Sequence, residues 1–197
     1  FVGRHAAEML AHLSGIEVHG TILRANEFSN MAHLKNSLPL HQADITDPAR
    51  VDSLIQSVRP DRILHIAGQA FVPASLQNPM ETFQANLLGG LFVLEAARKL
   101  LQSTGKNPAV LMVSSGEVYG QVDSEQMPMT EGLRLSPNSP YAASKAGIDM
   151  IAQQYAAFFG VDVTIVRPFN HAGPRQSPSF VVSDFAKQFA AIALHKQ

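Results

Sequence analysis

A tyrosine and a lysine four residues apart are the side chains in this sequence best suited to acid–base chemistry. They are Tyr141 and Lys145, and Ser114 and Ser115 stand upstream at the end of an apolar run. Residues at i and i+4 share one helix face, so the hydroxyl and the ammonium can reach the same small volume. A nearby cation favours the phenolate over the phenol, which lowers the pKa of a tyrosine from its usual value of about 10.

Proton transfer at a carbon-bound oxygen is the chemistry that this set predicts. The Tyr141 hydroxyl would give a proton to a carbonyl oxygen or take one from a carbinol, while Ser115 holds the same oxygen by a hydrogen bond. The alternative for Tyr-x-x-x-Lys spacing alone is a solvated pair on a helix surface. The serine pair upstream and the order of the surrounding elements favour the catalytic interpretation.

The elements that must position these side chains alternate between strand-like and helix-like periods. The sequence predicts helices over residues 1–13, 48–59, 79–101, 140–159 and 183–195, and strands over residues 18–23, 38–43, 62–67, 109–114 and 163–167. Such alternation implies parallel pairing with right-handed crossovers, and hence a doubly wound α/β sheet. The strand at 109–114 is apolar throughout, which predicts that both of its faces are covered.

The carboxyl ends of parallel strands are where ligands bind in such sheets. Polar or small residues follow the predicted strands there, namely Arg24, Asp44, Gly68, Ser115 and Pro168. The loop over residues 120–138 is long and ends beside Tyr141, as a functional lid would.

Composition excludes several classes of function. The 197 residues carry 15 Lys and Arg against 16 Asp and Glu, a net charge of −1, which gives no bulk attraction to nucleic acid or anionic lipid. The apolar fraction of 46% argues against disorder. The chain has no cysteine, so thiolate catalysis and disulfides are excluded, and its histidines show no metal-ligand spacing. Polar residues interrupt the most apolar stretch, 83–101, so no membrane span is predicted, and a reducing, cytoplasmic compartment is expected.

The motifs resemble those of the extended short-chain dehydrogenase/reductase family, in its nucleotide-sugar-modifying branch. The matching segments, in that family's order, are Phe1-Val-Gly3, Asp44-Ile-Thr-Asp47, His65-Ile-Ala-Gly68, Ser114-Ser-Gly-Glu-Val-Tyr-Gly120, Ser139-Pro-Tyr-Ala-Ala-Ser-Lys145 and Arg167-Pro-Phe-Asn-His-Ala-Gly-Pro174. The resemblance implies a Rossmann-like fold, a nicotinamide cofactor, hydride transfer and a nucleoside-diphosphate sugar as substrate.

The resemblance also assigns cofactor-binding residues. Gly3 matches the last glycine of a phosphate-binding turn, although a glycine there also suits simple helix–strand packing. Asp44 matches the acid at the adenine, with Ile45 beside it, and the alternative for Asp44 is a turn aspartate. The remaining cofactor positions implied are Ala67, Gly68, Gln69, Ser114, Tyr141, Lys145 and Pro168.

Arg24 bears on the choice of cofactor. It follows the second strand, where family members that prefer NAD place an acid, and no Asp or Glu stands at residues 22–26. A cation there suits a 2′-phosphate, so NADP(H) is expected over NAD(H); otherwise Arg24 is an exposed surface residue.

Three further residues are candidates for contact with substrate. Glu117 stands where sugar-nucleotide dehydratases of this family carry a base, and the alternative is a solvated loop carboxylate. Asn170 and His171 follow the last strand, where the family contacts nicotinamide and substrate, though His171 suits a structural role equally.

Within the branch, the sequence is similar to enzymes that act on GDP-mannose derivatives. GDP-mannose 4,6-dehydratases continue Phe-Asn-His with Glu-Ser-Pro-Arg-Arg and carry Ser where Gly116 stands, whereas this chain has Ala172, Gly173 and Gln176. These departures favour NADP(H)-dependent reduction of a nucleotide-sugar 4-ketone, with GDP-4-keto-6-deoxy-D-mannose giving GDP-D-rhamnose. The alternatives are a GDP-mannose 4,6-dehydratase or another nucleotide-sugar epimerase/dehydratase, and a non-catalytic dinucleotide-binding protein.

The resemblance finally bears on domain organisation and on the oligomeric state. Residues 1–197 match a dinucleotide-binding domain that lacks the family's first strand, and a substrate lobe would start around residues 175–197. The helix at 79–101 is apolar around much of its circumference, so we expect a homodimer in which it and the helix at 140–159 form a four-helix bundle.

Overall fold

The computed structural model describes residues 1–24, 34 and 38–195; residues 196 and 197, the end of the predicted lobe segment, lie outside them. The strands in this part are β1 (Gly20–Ile22), β2 (Leu40–Gln42), β3 (Arg62–His65), β4 (Ala109–Val113) and β5 (Val163–Val166). The helices are α1 (Val2–Ala11), α2 (Pro48–Val58), α3 (Val72–Gln77), α4 (Pro79–Phe83), α5 (Gly89–Thr104), α6 (Pro140–Phe159) and α7 (Val181–Ala193). Each predicted strand and helix is present, with bounds that differ by a few residues.

The strands pair in parallel, as the alternation predicted. β1 pairs with β2, and β3, β4 and β5 form a second sheet in that order. The strands predicted to form a single sheet thus form two in the described structure, one of β1 and β2 and the other of β3, β4 and β5. Helical crossovers join β3 to β4 and β4 to β5, so the carboxyl ends of these three strands lie at one edge.

The core lies between the larger sheet and a layer formed by α2, α5 and α6. Leu94, Met112 and Ile148 are fully buried there. The other face of the sheet is less covered, since Leu64 of β3 is 48% exposed and Leu111 of β4 is only half-buried. The prediction that β4 is covered on both faces is therefore wrong, because only its Val110 and Met112 side is fully buried.

Helix α2 begins as its sequence predicts. The Asp47 side chain accepts hydrogen bonds from the backbone N–H groups of Ala49 and Arg50, both at 3.0 Å, and Pro48 occupies the first helical turn. The helix ends before Arg59, which has a left-handed φ of 49°.

The helix predicted at 79–101 is longer and less regular than expected. A π-helical turn over Gln84–Leu88 separates α4 from α5, which continues to Thr104 and ends at Gly105 in a left-handed conformation. The preceding α3 was not predicted, because six residues are too few to show a helical period. No described helix is both long enough and apolar enough to cross a membrane.

Candidate active site

Ser114 and Ser115 lie directly after β4, and both are buried. Ser115 has an extended backbone, and its hydroxyl accepts a hydrogen bond from the Glu117 N–H at 3.2 Å, which caps a 3₁₀ turn over Gly116–Tyr119. The cap fixes the Ser115 side chain at the strand end and leaves Glu117 exposed beside it.

Tyr141 and Lys145 lie in the first turns of α6. Ser139 caps this helix by accepting a hydrogen bond from the Ala142 N–H at 3.1 Å, with Pro140 in the first turn. The Ser115 hydroxyl lies close enough to the Tyr141 hydroxyl to lower the pKa of this tyrosine. The buried Lys145 ammonium donates a hydrogen bond to the carbonyl oxygen of Val113 at 2.8 Å. The predicted serine, tyrosine and lysine therefore meet at the end of β4.

The pKa of Tyr141 shifts in the direction opposite to the prediction. Burial raises it, the hydrogen bond with Ser115 lowers it, and the negative charge of Glu117 raises it, with a net increase. The predicted lowering is wrong, because burial of the hydroxyl and the charge of Glu117 together outweigh the effect of Ser115. Burial also lowers the pKa of Lys145, to about 8.

The floor of the site is formed by the loop after β3. Asn86, buried in the π-helical turn, accepts a hydrogen bond from the Gln69 N–H at 2.8 Å and donates to the Gln69 carbonyl oxygen at 2.9 Å. Its amide also donates to Ser144 of α6 at 3.0 Å. Asn86 thus joins the loop carrying Ala67, Gly68 and Gln69 to the helix that carries Tyr141.

Two features of this loop fit the close approach of a cofactor. A Cβ atom at Gly68 would stand 2.6 Å from the Asn86 Oδ1 atom and 3.8 Å from the Lys145 ammonium, so only glycine keeps this space clear. The Gln69 Oε1 atom is buried without a hydrogen-bond partner. A buried acceptor of this kind calls for a donor, which a bound group can supply.

The other cofactor candidates lie apart from this cluster. Asp44 accepts hydrogen bonds from the N–H and hydroxyl of Thr46, both at 2.8 Å, so it forms a turn at the end of β2. Ile45 packs beside Gly89, and Arg24 is exposed shortly after β1. Gly3 lies in the first turn of α1, with open space where a Cβ would stand.

The loop after β5 is tied to the Ser115 turn. The Pro168 carbonyl oxygen accepts a hydrogen bond from the Gly116 N–H at 2.8 Å. Asn170 and His171 are exposed beyond it; the His171 Nδ1–H donates to the Phe169 carbonyl oxygen at 2.9 Å, and its ring stacks on Phe1. Across the described ranges, no three His, Asp or Glu side chains are grouped so that they could hold a metal ion.

A buried ion pair between Asp149 and Arg167 lies behind the site, and neither residue was predicted to be functional. Asp149 follows Lys145 by four residues on α6, and Arg167 follows β5. The helical spacing of Tyr141, Lys145 and Asp149 was the available signal, since it places all three on one helix face.

Comparison with known proteins identifies the family. The family model described as GDP-mannose 4,6 dehydratase matches residues 1–197. The chain belongs to this family. A GDP-6-deoxy-D-mannose reductase from Pseudomonas aeruginosa is 39% identical over 150 residues, which are 76% of this chain and 48% of the relative. Three proteins named GDP-mannose 4,6-dehydratase, from Vibrio cholerae and Arabidopsis thaliana, are matched over 51–52% of their length. This chain therefore spans about half the length of the curated relatives it matches.

Solved structures confirm the α/β fold class with its Rossmann-like parallel sheet. The Pseudomonas aeruginosa protein RMD, solved as a complex with NADPH, is 34% identical with a TM-score of 0.73, over 91% of this chain and 63% of that one. The UDP-glucose 4-epimerase of Thermus thermophilus, solved with NAD, is 32% identical with a TM-score of 0.82, over 95% of this chain and 58% of that one. The relatives and solved structures that the chain resembles are thus named as nucleotide-sugar dehydratases, a reductase and an epimerase.

Proposed function

We propose that the protein reduces a nucleotide-sugar 4-ketone with NADP(H), converting GDP-4-keto-6-deoxy-D-mannose to GDP-D-rhamnose. The observation that carries the proposal is the grouping of Ser115, a protonated Tyr141 and the buried Lys145 at the end of β4. The reductase from Pseudomonas aeruginosa, 39% identical, supports the reaction.

The residues around this cluster fit a nicotinamide cofactor, which would supply the hydride. Gly68 leaves its space clear, and the Lys145 ammonium has three N–H donors, of which Val113 accepts one. Lys145 and Tyr141 would hold the ribose hydroxyls, with Ser114, Ala67, Gln69 and Pro168 forming the walls. Gly3 would face the pyrophosphate at the N-terminus of α1, and Asp44 and Ile45 would hold the adenine.

Tyr141 would serve as the acid. Ser115 and Tyr141 place two hydroxyls side by side, and both would hydrogen-bond the ketone oxygen. Because the pKa of Tyr141 is raised, its hydroxyl keeps its proton at neutral pH and can transfer it to that oxygen as the alkoxide forms. Asn170 and His171 would contact the sugar nucleotide from the loop after β5.

Arg24 would select NADPH by binding a 2′-phosphate beyond β1. We expect the Arg24→Ala variant to lose a preference for NADPH over NADH that the unmutated protein shows, as measured by fluorescence titration of each cofactor. Equal affinities of the unmutated protein for the two cofactors would refute this role, and NAD(H) would then be the cofactor.

A second candidate is GDP-mannose 4,6-dehydratase activity, which Glu117 favours. Its carboxylate is close enough to raise the pKa of Tyr141, so it could act as the base that removes a proton beside the new carbonyl. Gln176 argues for the reductase, since it replaces an arginine of the dehydratase motif; here it donates to the His171 carbonyl oxygen and accepts a hydrogen bond from Ser183.

Cofactor stoichiometry tests the two candidates. We expect one NADPH consumed per GDP-4-keto-6-deoxy-D-mannose, and no dehydration of GDP-D-mannose. Conversion of GDP-D-mannose to the keto sugar without net change in NADPH would establish the dehydratase instead. NADPH binding without turnover of any nucleotide sugar would favour the non-catalytic alternative.

We also propose that residues 1–197 form a dinucleotide-binding part, from which a substrate-binding lobe starts near residue 175. Helix α7 in that segment has no buried residue and exposes Phe185 and Phe189. The homodimer would use the outer faces of α5 and α6, where Met150 and Phe158 are exposed.

A further inference from the structure

The ion pair of Asp149 and Arg167 is unusually enclosed for two charged side chains. Asp149 is 0% exposed and Arg167 15%. The Arg167 guanidinium donates to both carboxylate oxygens, with Nε at 2.7 Å from Oδ2 and Nη2 at 3.0 Å from Oδ1. Such a bidentate pair fixes orientation as well as distance.

The third nitrogen of the Arg167 guanidinium contacts two further segments. Its Nη1 donates to the Tyr119 hydroxyl at 2.8 Å and to the Glu131 carbonyl oxygen at 3.1 Å, and the guanidinium lies over the Tyr119 ring at 5.3 Å. Tyr119 ends the 3₁₀ turn that begins after Ser115. Glu131 belongs to the loop over residues 120–138. One guanidinium thus contacts α6, the Ser115 turn and this loop.

Asp149, the other member of the ion pair, lies close to the residues of the site. It accepts a hydrogen bond from Gln153 at 2.8 Å, and the Ser114 hydroxyl, which donates to the Lys145 carbonyl oxygen at 3.4 Å, lies close by. Burial opposes the charge of Asp149, but Arg167, Gln153 and Ser114 hold its pKa below its ordinary value. The carboxylate therefore stays charged at neutral pH, next to the residue before Ser115 and on the helix of Tyr141 and Lys145.

A buried ion pair contributes little net stability, because desolvation offsets the attraction. Its effect is to specify one arrangement of the segments that it joins. Lysine cannot replace Arg167 in this role, since an ammonium lacks the planar fork that binds a carboxylate and two further acceptors together.

We propose that Asp149 and Arg167 are positioning residues, which hold Ser115 and Glu117 in register with Tyr141 and Lys145 and anchor the 120–138 loop at Glu131. They act through Ser114 and Tyr119. The inference rests on the proposed reaction, because the register it describes is that of the acid and its hydroxyl partner.

The test compares two tyrosine variants that each lose one hydroxyl bonded to a charged group. Tyr119→Phe removes the acceptor of Arg167, whereas the control, Tyr155→Phe, removes the hydroxyl that donates to Glu95 of α5 at 3.0 Å. We expect Tyr119→Phe to lower kcat by about tenfold and Arg167→Lys by about a hundredfold, since a misplacement of about 1 Å can cost that much. The control should keep full activity.

The split between kcat and binding separates positioning from a general structural role. We expect the KM for the keto sugar, the affinity for NADPH and the melting temperature of Tyr119→Phe to match the control. The inference is overturned if Tyr119→Phe and Arg167→Lys both keep kcat within twofold of the unmutated protein. It is equally overturned if the NADPH affinity and the melting temperature of Tyr119→Phe fall together with its kcat.

Failure of the proposed reaction gives a different result. If the unmutated protein binds NADPH but does not reduce the ketone, the register can still be followed by amide hydrogen exchange over residues 115–131. Faster exchange there in Arg167→Lys, without change in α6, supports the positioning role. Unchanged exchange in that segment overturns it.

Discussion

At the scale of single residues, the pKa of the Tyr141 hydroxyl depends on its burial and on two neighbours, Ser115 and Glu117, at the start of one 3₁₀ turn. Burial and the negative charge of Glu117 raise its pKa, while the hydrogen bond with Ser115 lowers it. A phenol with a raised pKa is an acid that keeps its proton until an alkoxide forms beside it. This suits reduction of a ketone better than oxidation of an alcohol, which needs the phenolate.

Replacing Tyr141 with phenylalanine removes that proton and leaves the ring. We expect kcat for the keto sugar to fall by about 10²–10⁴-fold, the usual contribution of general acid catalysis, while NADPH still binds. Stopped-flow turnover and fluorescence titration of NADPH measure the two effects. The control is Tyr155→Phe, and a Tyr141→Phe variant with near-full activity would remove this tyrosine from the mechanism.

Glu117→Gln tests the electrostatic part of the same arrangement. Removing the negative charge makes the phenolate less unfavourable, so the pKa of Tyr141 should fall. Reduction needs the protonated phenol, and we therefore expect the alkaline limb of kcat/KM to move to lower pH, with only a modest loss of rate at pH 7. Glu125→Gln, in an exposed 3₁₀ turn, is the matched control. A limb that stays in place would show that Glu117 does not act on Tyr141.

At the scale of elements, the sequence predicted those helix and strand positions that depend on neighbouring residues in the chain. Asp47-Pro48 marked the start of α2, and the apolar run at 109–114 marked β4. The strand-end position of Ser115 and the helical spacing of Tyr141 and Lys145 were sufficient to predict that they meet, because parallel strands bring their carboxyl ends to one edge.

Features that depend on distant contacts were not predictable in this way. The π-helical turn places Asn86 on the Gln69 loop, and only the tertiary structure shows that this amide has three partners. Arg167 contacts Tyr119 and Glu131 across 48 and 36 residues, a separation that no periodicity reveals. The sign of the Tyr141 pKa shift likewise depends on burial, which the spacing of residues does not give.

At the scale of the whole molecule, His65 couples stability to pH. It is buried at the end of β3, and burial, together with the charge of Lys145, lowers its pKa from 6.5 to about 4. The folded protein keeps this histidine neutral, while the unfolded chain takes up a proton below pH 6.5. Stability is therefore lost as the pH falls from about 6.5 to about 4, by about 3 kcal/mol in total at about 1.36 kcal/mol per pKa unit.

Urea unfolding at pH 7 and pH 5 measures this coupling. We expect His65→Gln to lose less free energy of unfolding between the two values than the unmutated protein, by about 2 kcal/mol. His12→Gln, at an exposed position after α1, should behave like the unmutated protein. Equal pH dependence in all three proteins would show that His65 is not the group responsible.

The outer faces of α5 and α6 are where we expect the protein to pair with a second copy. Leu94 and Leu100 of α5 are buried within the chain, so the apolar residues left on this side are fewer than the sequence suggested. Phe158 is nevertheless 79% exposed and Met150 64%, eight residues apart on one face of α6. Arg98 lies over the Phe159 ring at 5.4 Å and joins the two helices at the same surface.

An apolar face of this kind, repeated in two copies, fits an isologous dimer in which each helix pair covers the other. We expect the unmutated protein to be dimeric by light scattering at micromolar concentration, and Phe158→Glu to be monomeric because it would bury a charge at the contact. Met9→Glu on α1 introduces the same charge at a residue that is 65% exposed but lies outside this face, and should leave the dimer intact. A monomer in the unmutated protein, or a dimer that survives Phe158→Glu, would place any self-association elsewhere on the molecule.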